Sequence, residues 1–348
     1  MKNDTRPRYE AFATQVAKLN GVASAANTFT VEPSVQQKLE DRIQLSSAFL
    51  QKINMVPVDE KDGEKVGLGV LGTSAGRTKT GPNKKRWPRS LADFSKGGYK
   101  CQKTDFDTAI PYAQLDLWAK FPDFQNRLTN AIATQQALDR IMIGWNGTSI
   151  AEDTDRDANP LLQDVNKGWL QKYREESPAR VMHEVEKGSG KVLIGPDIPT
   201  AKGYKTLDAL VFDAVNGLIH EVFAESTDLV VIVGRDLLSE KYFPKINRDQ
   251  PASEELATDI IVAQKTIGNL PAVRVPFFPA NTMLITSLSN LSIYYQTGAR
   301  RRHLRDEPDY NWIADYQSSN EDYVVEVYEA GCLVENIELV EPEEETKA

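Results

Sequence analysis

Three patterns in the sequence have the residue types and spacing to do chemistry. Gly67-Leu-Gly69-Val-Leu-Gly72 matches the G-x-G-x-x-G spacing of a dinucleotide site letter for letter. That site needs its third glycine to open a helix whose N-terminus faces the pyrophosphate. The residues that follow, Thr73-Ser-Ala-Gly-Arg-Thr-Lys-Thr-Gly-Pro82, cannot start a stable helix. A glycine-rich strand is the expected reading, with a nucleotide-binding enzyme built on Gly67, Gly69 and Gly72 as the alternative. Asp153, Asp155, Asp157, Asn159 and Asp164 fall near the ligand spacing of a calcium loop. Ala158 and Asp164 stand where that loop requires its sixth-position Gly and twelfth-position Glu, so a polar loop is expected. His183-Glu184 and His220-Glu221 each begin an H-E pair, but no second His follows four residues on. With no G-x-S-x-G elbow and no Walker loop, no catalytic site, cofactor or metal is expected from local signatures.

The elements around these patterns are clearer. Tyr9, Phe12, Val16 and Leu19 recur at helical spacing, and Gly21 is placed to stop the helix. Small residues follow from Val22 to Phe29, able to enter a protease cleft, so the first helix reads either as core or as a detachable appendage. A second helix should start at Pro33, with Val35, Leu39, Ile43 and Leu50 on its apolar side. Residues 72–98 show no apolar periodicity and are broken by seven Gly or Pro residues. Structureless loops beyond about 12–15 residues are uncommon in compact domains and are usually functional or disordered. Strand-like residues on each side make this a projecting hairpin, which neighbours would have to order. A long helix is expected over 123–143, N-capped by Asp123 and stopped near Gly144, with Phe124, Leu128, Ile132, Leu138 and Ile141 as its apolar face. Another should carry Trp169, Leu170 and Tyr173. From Thr206 onward the pattern is α/β. A helix capped by Thr206 leads to the buried strand 228–234, a helix near 254–263, and strands at 272–275, 283–286 and 291–295. Two strands about Gly331 close the chain.

Composition narrows the function classes. Hydrophobic residues at 41% and charged residues at 26% are ordinary for a folded protein. No run nears the roughly eighteen apolar residues of a membrane span, and no signal-peptide stretch opens the N-terminus, so cytoplasmic synthesis is expected. A net charge of −9 argues against general nucleic-acid binding. Yet residues 77–103 carry Arg77, Lys79, Lys84, Lys85, Arg86, Arg89, Lys96, Lys100 and Lys103 against Asp93 alone. The tail carries Glu341, Glu343, Glu344 and Glu345. Such charge runs are either solvated faces or the two sides of a self-association. Arg300, Arg301, Arg302 and Arg305 form a second basic cluster, suited to nucleic acid or, in an acidic protein, to ion pairs with an adjacent subunit. Cys101 and Cys332 form no C-x-x-C motif and read as small buried hydrophobes.

Longer strings carry a family resemblance. Phe29-Thr-Val-Glu-Pro-Ser34, Leu115-Asp-Leu-Trp-Ala119, Gly168-Trp-Leu-Gln-Lys-Tyr-Arg174, Asp228-Leu-Val-Val-Ile-Val-Gly-Arg235, Ile267-Gly-Asn-Leu-Pro-Ala-Val-Arg-Val-Pro276, Leu291-Ser-Ile-Tyr-Tyr295 and Ala330-Gly-Cys-Leu-Val-Glu335 stand in the expected order. In these the sequence resembles the major capsid proteins of P-two-like tailed bacteriophages. The resemblance implies the α+β tailed-phage capsid fold (HK-ninety-seven-type). It divides the chain into an N-terminal helical segment 1–29, an N-arm 30–59 and an extended loop 60–104. A peripheral domain 105–205 with spine helix 123–143, an axial domain 206–298 and a return with acidic tail 299–348 complete it. It implies a structural shell subunit, not an enzyme, in the virion head and assembled in the bacterial cytoplasm. Homo-hexamers and homo-pentamers would form an icosahedral procapsid. Scaffold and maturation protease, portal and packaged double-stranded DNA bound without sequence specificity would be the other partners. Maturation cleavage would fall between Phe29 and Thr30. Arg77, Lys79, Lys84, Lys85, Arg86 and Arg89 would lie across a neighbour.

Overall fold

A computed structural model describes residues 1–65, 75, 77–81, 85–86, 97–234, 236–237 and 266–340. The glycine motif, the expected helix near 254–263, Lys84, Arg89 and the acidic tail lie outside these residues. Among the described residues, two large sheets carry the fold. The first has seven strands. Its path runs Phe29–Thr30, Arg301–Glu307, Trp312–Val325, Leu291–Gln296, Asn54–Val58, while Gln102–Asp105 and Thr108–Pro111 also pair with Trp312–Val325. The 14-residue strand Trp312–Val325 is therefore the spine of this sheet, serving four partners along its length. The second sheet has six strands, ordered Thr266–Ile267, Leu270–Val273, Leu229–Val233, Met283–Ser287, Gly331–Val334, Val181–Met182. Sheet membership thus cuts across the expected 206–298 axial unit. Leu291–Gln296 belongs to the first sheet, and Gly331–Val334 returns to the second. A strand's turns show where it ends, but only its pairing partners show which sheet it joins.

Helices cover both sheets. α1 (Arg6–Leu19) ends at Gly21, whose φ of +64° is the left-handed conformation that glycine adopts without a Cβ penalty. α2 (Pro33–Leu45) begins with its proline at N1. Its buried residues are Gln36, Glu40 and Ile43, with Val35 and Leu39 only half-buried. α3 is Tyr112–Trp118, and α4, the expected long helix, spans the 23 residues Phe124–Asn146. At its start, Asp123 stands at the N-cap position as expected, but its side chain makes no capping bond; the carboxylate instead accepts from Arg127 Nε at 2.8 Å. At its other end Gly144 does not stop the helix. A Cβ there would stand 2.3 Å from Trp169, so the glycine lets the indole lie against the backbone. α5 (Trp169–Glu176) supplies that indole and buries Trp169, Leu170 and Tyr173. Phe49, Trp145, Trp169 and Tyr323 pack in tilted and edge-to-face arrangements at centroid distances of 4.8–6.1 Å, and Trp169 Nε1 donates to Ser292 O at 3.0 Å. α6 (Leu207–Leu218) is capped by Thr206 Oγ1, which accepts from Ala209 N at 3.2 Å. Its Leu210, Val211 and Ala214 close the six-stranded sheet from one side.

Candidate intersubunit interface and arm junction

The N-terminal segment is built into the molecule. Tyr9, Phe12, Val16 and Ala17 of α1 are buried in one apolar cluster with residues of α3 and α4 and with Leu304 and Ile313. The following linker is partly enclosed: Ala25 is 2% exposed and its carbonyl accepts from Leu304 N at 2.9 Å. Phe29 and Thr30 pair antiparallel with Arg302 and Arg301, and Val31 N donates to Arg300 O at 2.8 Å. Phe29 is buried and Thr30 exposed, so the two residues occupy the outer strand of the seven-stranded sheet. This strand covers an edge that Arg301–Glu307 would otherwise present bare.

The arginine cluster divides sharply. Arg300 is fully enclosed; its Nη1 donates to Glu40 Oε1 at 2.6 Å, and its Nη2 donates to Gln136 and Gln317 at 2.6 and 2.8 Å. Arg140 of α4 is equally enclosed, donating to Glu40 Oε2 at 2.6 Å and forming a two-point pair with Glu321. Arg302 makes a bidentate pair with Asp315 at 3.0 and 2.7 Å. Arg300 and Arg302 thus direct their terminal guanidinium nitrogens to partners within the chain, with the buried Arg300 Nε left without a hydrogen-bond partner among the described residues, so neither offers its charge freely to an adjacent subunit. Arg301 is exposed, and Arg305 is 63% exposed beside Glu307 at 3.5 Å. Burial alone would raise the Glu40 carboxyl, but Arg140 and Arg300 outweigh it and hold Glu40 below its ordinary range. Burial likewise opposes the Arg140 charge, and Glu321 with Glu40 overcomes it. Arg300, sharing only Glu40 at contact, is pushed down by burial. Sequence patterning missed this junction because its members lie on α2, α4, the turn before Arg301 and Trp312–Val325. The sole local signal was a Glu on the apolar side of the second helix.

The described ends of the expected extended loop, its base, are anchored to the body. Asp62–Glu64 pairs antiparallel with Gly98–Lys100, Lys100 N donates to Asp322 Oδ2 at 2.8 Å, and Lys65 Nζ donates to Val325 O at 2.7 Å. Burial pushes the Lys65 amine down, and the amine sits 5.0 Å from the Tyr328 ring centroid. Beyond this base, Arg77, Lys79, Lys85 and Arg86 are exposed, and none has an ion-pair partner among the described residues. Beside the base lies a cleft of about 770 Å³ between α4 and the loop around residues 150–165, with Asp107, Asp139, Glu152 and Asp153 in its lining. Burial raises both the Asp107 and Asp139 carboxyls, and Asp105 adds to the effect at Asp107.

Among the described residues, the aspartate-rich loop and His220 are engaged in local structure. Asp164 Oδ2 accepts from Asp155 N at 2.8 Å, and Asp155 Oδ1 accepts from the amides of Asp157 and Ala158. The aspartates therefore fold their own loop, and the described residues hold no cluster of three or more metal-ligating side chains. His220 caps the short helix Glu221–Ala224, and His303 packs on Tyr316. Cys101 and Cys332 are free and buried, with both thiols pushed up to about 12 chiefly by burial. Among the described residues no helix is long and apolar enough to cross a membrane.

The sequence profile described as "Phage major capsid protein, P2 family" matches residues 8–337. The chain belongs to the P2 family of phage major capsid proteins. Among relatives of this major capsid protein, the capsid proteins of Escherichia phage P2 are 51% identical over 343 residues, covering 97% of this chain and 96% of the relative. The major capsid protein of Serratia phage KSP20 is 43% identical over 348 residues, covering 99% of each. A solved structure of the satellite phage P4 procapsid including the size determination (Sid) protein superposes with a TM-score of 0.80 at 47% identity. It covers 98% of this chain and 99% of its own. The fold is the α+β tailed-phage capsid fold, as the resemblance implied, and the role of this P2-family protein is that of a head-shell subunit. The nucleotide-binding alternative finds no support in these matches.

Proposed function

We propose that the chain forms homo-hexamers and homo-pentamers of an icosahedral procapsid, assembled in the bacterial cytoplasm with a scaffold and maturation protease and closed at a portal. The shell encloses double-stranded DNA without reading its sequence. The observation that carries this reading is the contrast within the extended loop. Its base is hydrogen-bonded to the body, while Arg77, Lys79, Lys85 and Arg86 beyond it stand exposed. A cationic strip on a chain of net charge −9 is complementary to acidic surface on a second copy, and the cleft where Asp105, Asp107, Asp139, Glu152 and Asp153 outnumber Lys61, Lys103 and Arg156 is a candidate for it. Lys84 and Arg89 extend the same strip in sequence, and Arg301 and Arg305 are free enough to add rim contacts. Each contact would be modest, and the closed shell would multiply them through avidity. Cleavage between Phe29 and Thr30 is the proposed maturation step.

Co-expression with the cognate scaffold protein, read by electron microscopy, tests the assembly. Full-length chain should give closed shells, and deletion of residues 75–90 should give folded, unassembled subunits. Normal shells from the deletion would remove the loop from the proposal. Mass spectrometry of chain extracted from shells should find a new N-terminus at Thr30.

A further inference from the structure

Tyr9, Phe12 and Val16 stand on one face of α1, each buried to within 8% of full enclosure, while Leu19 at the end of the helix is 54% exposed. A 14-residue helix is only marginally stable alone in water, so this one owes its order to what it lies on. Beneath it is a groove lined by Tyr112, Leu115, Phe124, Leu128, Leu304 and Ile313. Polar contacts surround the apolar ones. Arg6 pairs with Asp306 at 3.1 Å, Arg8 Nη1 donates to Phe121 O at 2.9 Å, and Lys2 N donates to Asp116 Oδ1 at 2.8 Å. Tyr112 OH donates to the same Asp306, and the Arg302 guanidinium lies 5.8 Å from the Phe12 ring centroid. Apart from the Tyr112–Asp306 bond, which lies within the groove itself, these contacts come from residues 2–17, upstream of the linker, so none of them requires the peptide bond between Phe29 and Thr30.

We propose that the body carries a docking groove for an amphipathic helix, that residues 2–19 fill it in cis, and that this segment stays docked after the chain is severed behind it. The occupant is the chain's own N-terminal segment. The spacing of Tyr9, Phe12 and Val16 matches the i, i+3, i+7 anchors by which helices seat in apolar grooves. The cut then converts a tethered strap into a ligand. The groove is vacated by dissociation or exchange between copies and not by proteolysis itself. The biological moment of this event rests on the proposed maturation cut, but the groove and its occupant do not.

The test uses the full chain with a specific protease site inserted in the exposed stretch Ala26–Thr28. After cutting of the folded protein, the N-terminal fragment should co-elute with the body at about 10 µM, as a dissociation constant of about 1 µM or tighter requires. A labelled peptide of residues 1–26 should exchange into the cut protein. Phe12→Asp in that peptide should weaken exchange roughly a hundredfold, the scale of losing a buried aromatic. Arg6→Ala should weaken it severalfold. Immediate separation of the wild-type fragment at 10 µM would overturn the proposal. A body that unfolds once the fragment leaves would overturn it too, because no standing groove would then exist. The position of the natural cut is read separately from the mass of shell-derived chain. A natural N-terminus elsewhere would refute the maturation reading and leave the co-elution result untouched.

Discussion

In the six-stranded sheet, Leu229, Val231, Ile232, Val233, Leu284, Ile285, Leu333 and Val334 are closed from solvent, and no charged residue is buried among its described strands. In the seven-stranded sheet, Trp312–Val325 buries Asp315, Glu321 and Asp322, and Arg140, Glu40 and Arg300 meet on it. The six-stranded sheet is held by area removed from water, which rewards any close packing of similar volume. The seven-stranded sheet depends on a set of buried charges that meet only when α2, α4 and the turn at Arg300 all reach their places. A buried ion pair adds little stability over an apolar pair of the same shape, but removing one partner leaves an uncompensated charge. The contrast teaches that the seat of α2 is specified by charge and the core of the other sheet by volume.

Substitutions can break or sharpen that contrast. Arg140→Ala strands both Glu40 and Glu321 and should destabilise the chain by about 3–5 kcal/mol in denaturant unfolding. Replacing Arg140 and Glu321 together by apolar residues of similar volume should cost less than Arg140→Ala alone. A double change as costly as the sum would refute the specificity argument. Gly144→Ala, which forces Trp169 away from α4, should cost about 1–3 kcal/mol by overpacking. In the apolar sheet, Ile285→Val should cost about 0.5–1.5 kcal/mol, and a larger loss than Arg140→Ala would invert the comparison. At the surface, Lys191→Ala breaks a pair with Glu338 that is about half exposed on each side, and its loss should stay below about 0.5 kcal/mol.

The pH dependence follows from the same junction. The Glu40 carboxyl is held below its ordinary value of 4.5 in the folded chain, so its contribution is complete above that value. The contribution is lost as the pH falls through the lowered folded value. Unfolding midpoints should therefore drop as the pH falls below 4.5, and Glu40→Gln should flatten that part of the profile. Asp107, Asp139 and Asp322 are raised by burial and act with the opposite sign, so the difference between wild type and Glu40→Gln is the quantity to read. An unchanged slope in the variant would show that the junction carries no acid sensitivity.

Much of the fold was legible in local pattern. The strand at Leu229–Val233, the Thr206 cap, the long helix after Asp123 and the burial of Trp169, Leu170 and Tyr173 all follow from periodicity and capping chemistry. Both cysteines read correctly as buried. The candidate interface was legible only in part: the loop's composition suggested a projecting segment, most of which lies outside the described residues, while the arginine run looked uniform. Arg300 and Arg301 are neighbours of one type, yet one is enclosed and the other exposed. Glu40 lies 260 positions from Arg300 and 100 from Arg140, and no window along the chain contains that pairing.

Helix and strand positions, the cationic strip and the family strings were set by residues within a few turns of one another, because capping, periodicity and backbone preference are short-range. Folding in three dimensions chose which sheet each strand joined, which arginines lost their solvent, and that α1 lies in a groove of its own chain. Those outcomes depend on desolvation and on partners far away in sequence, and a charged or apolar side chain carries no local record of which surface will close over it.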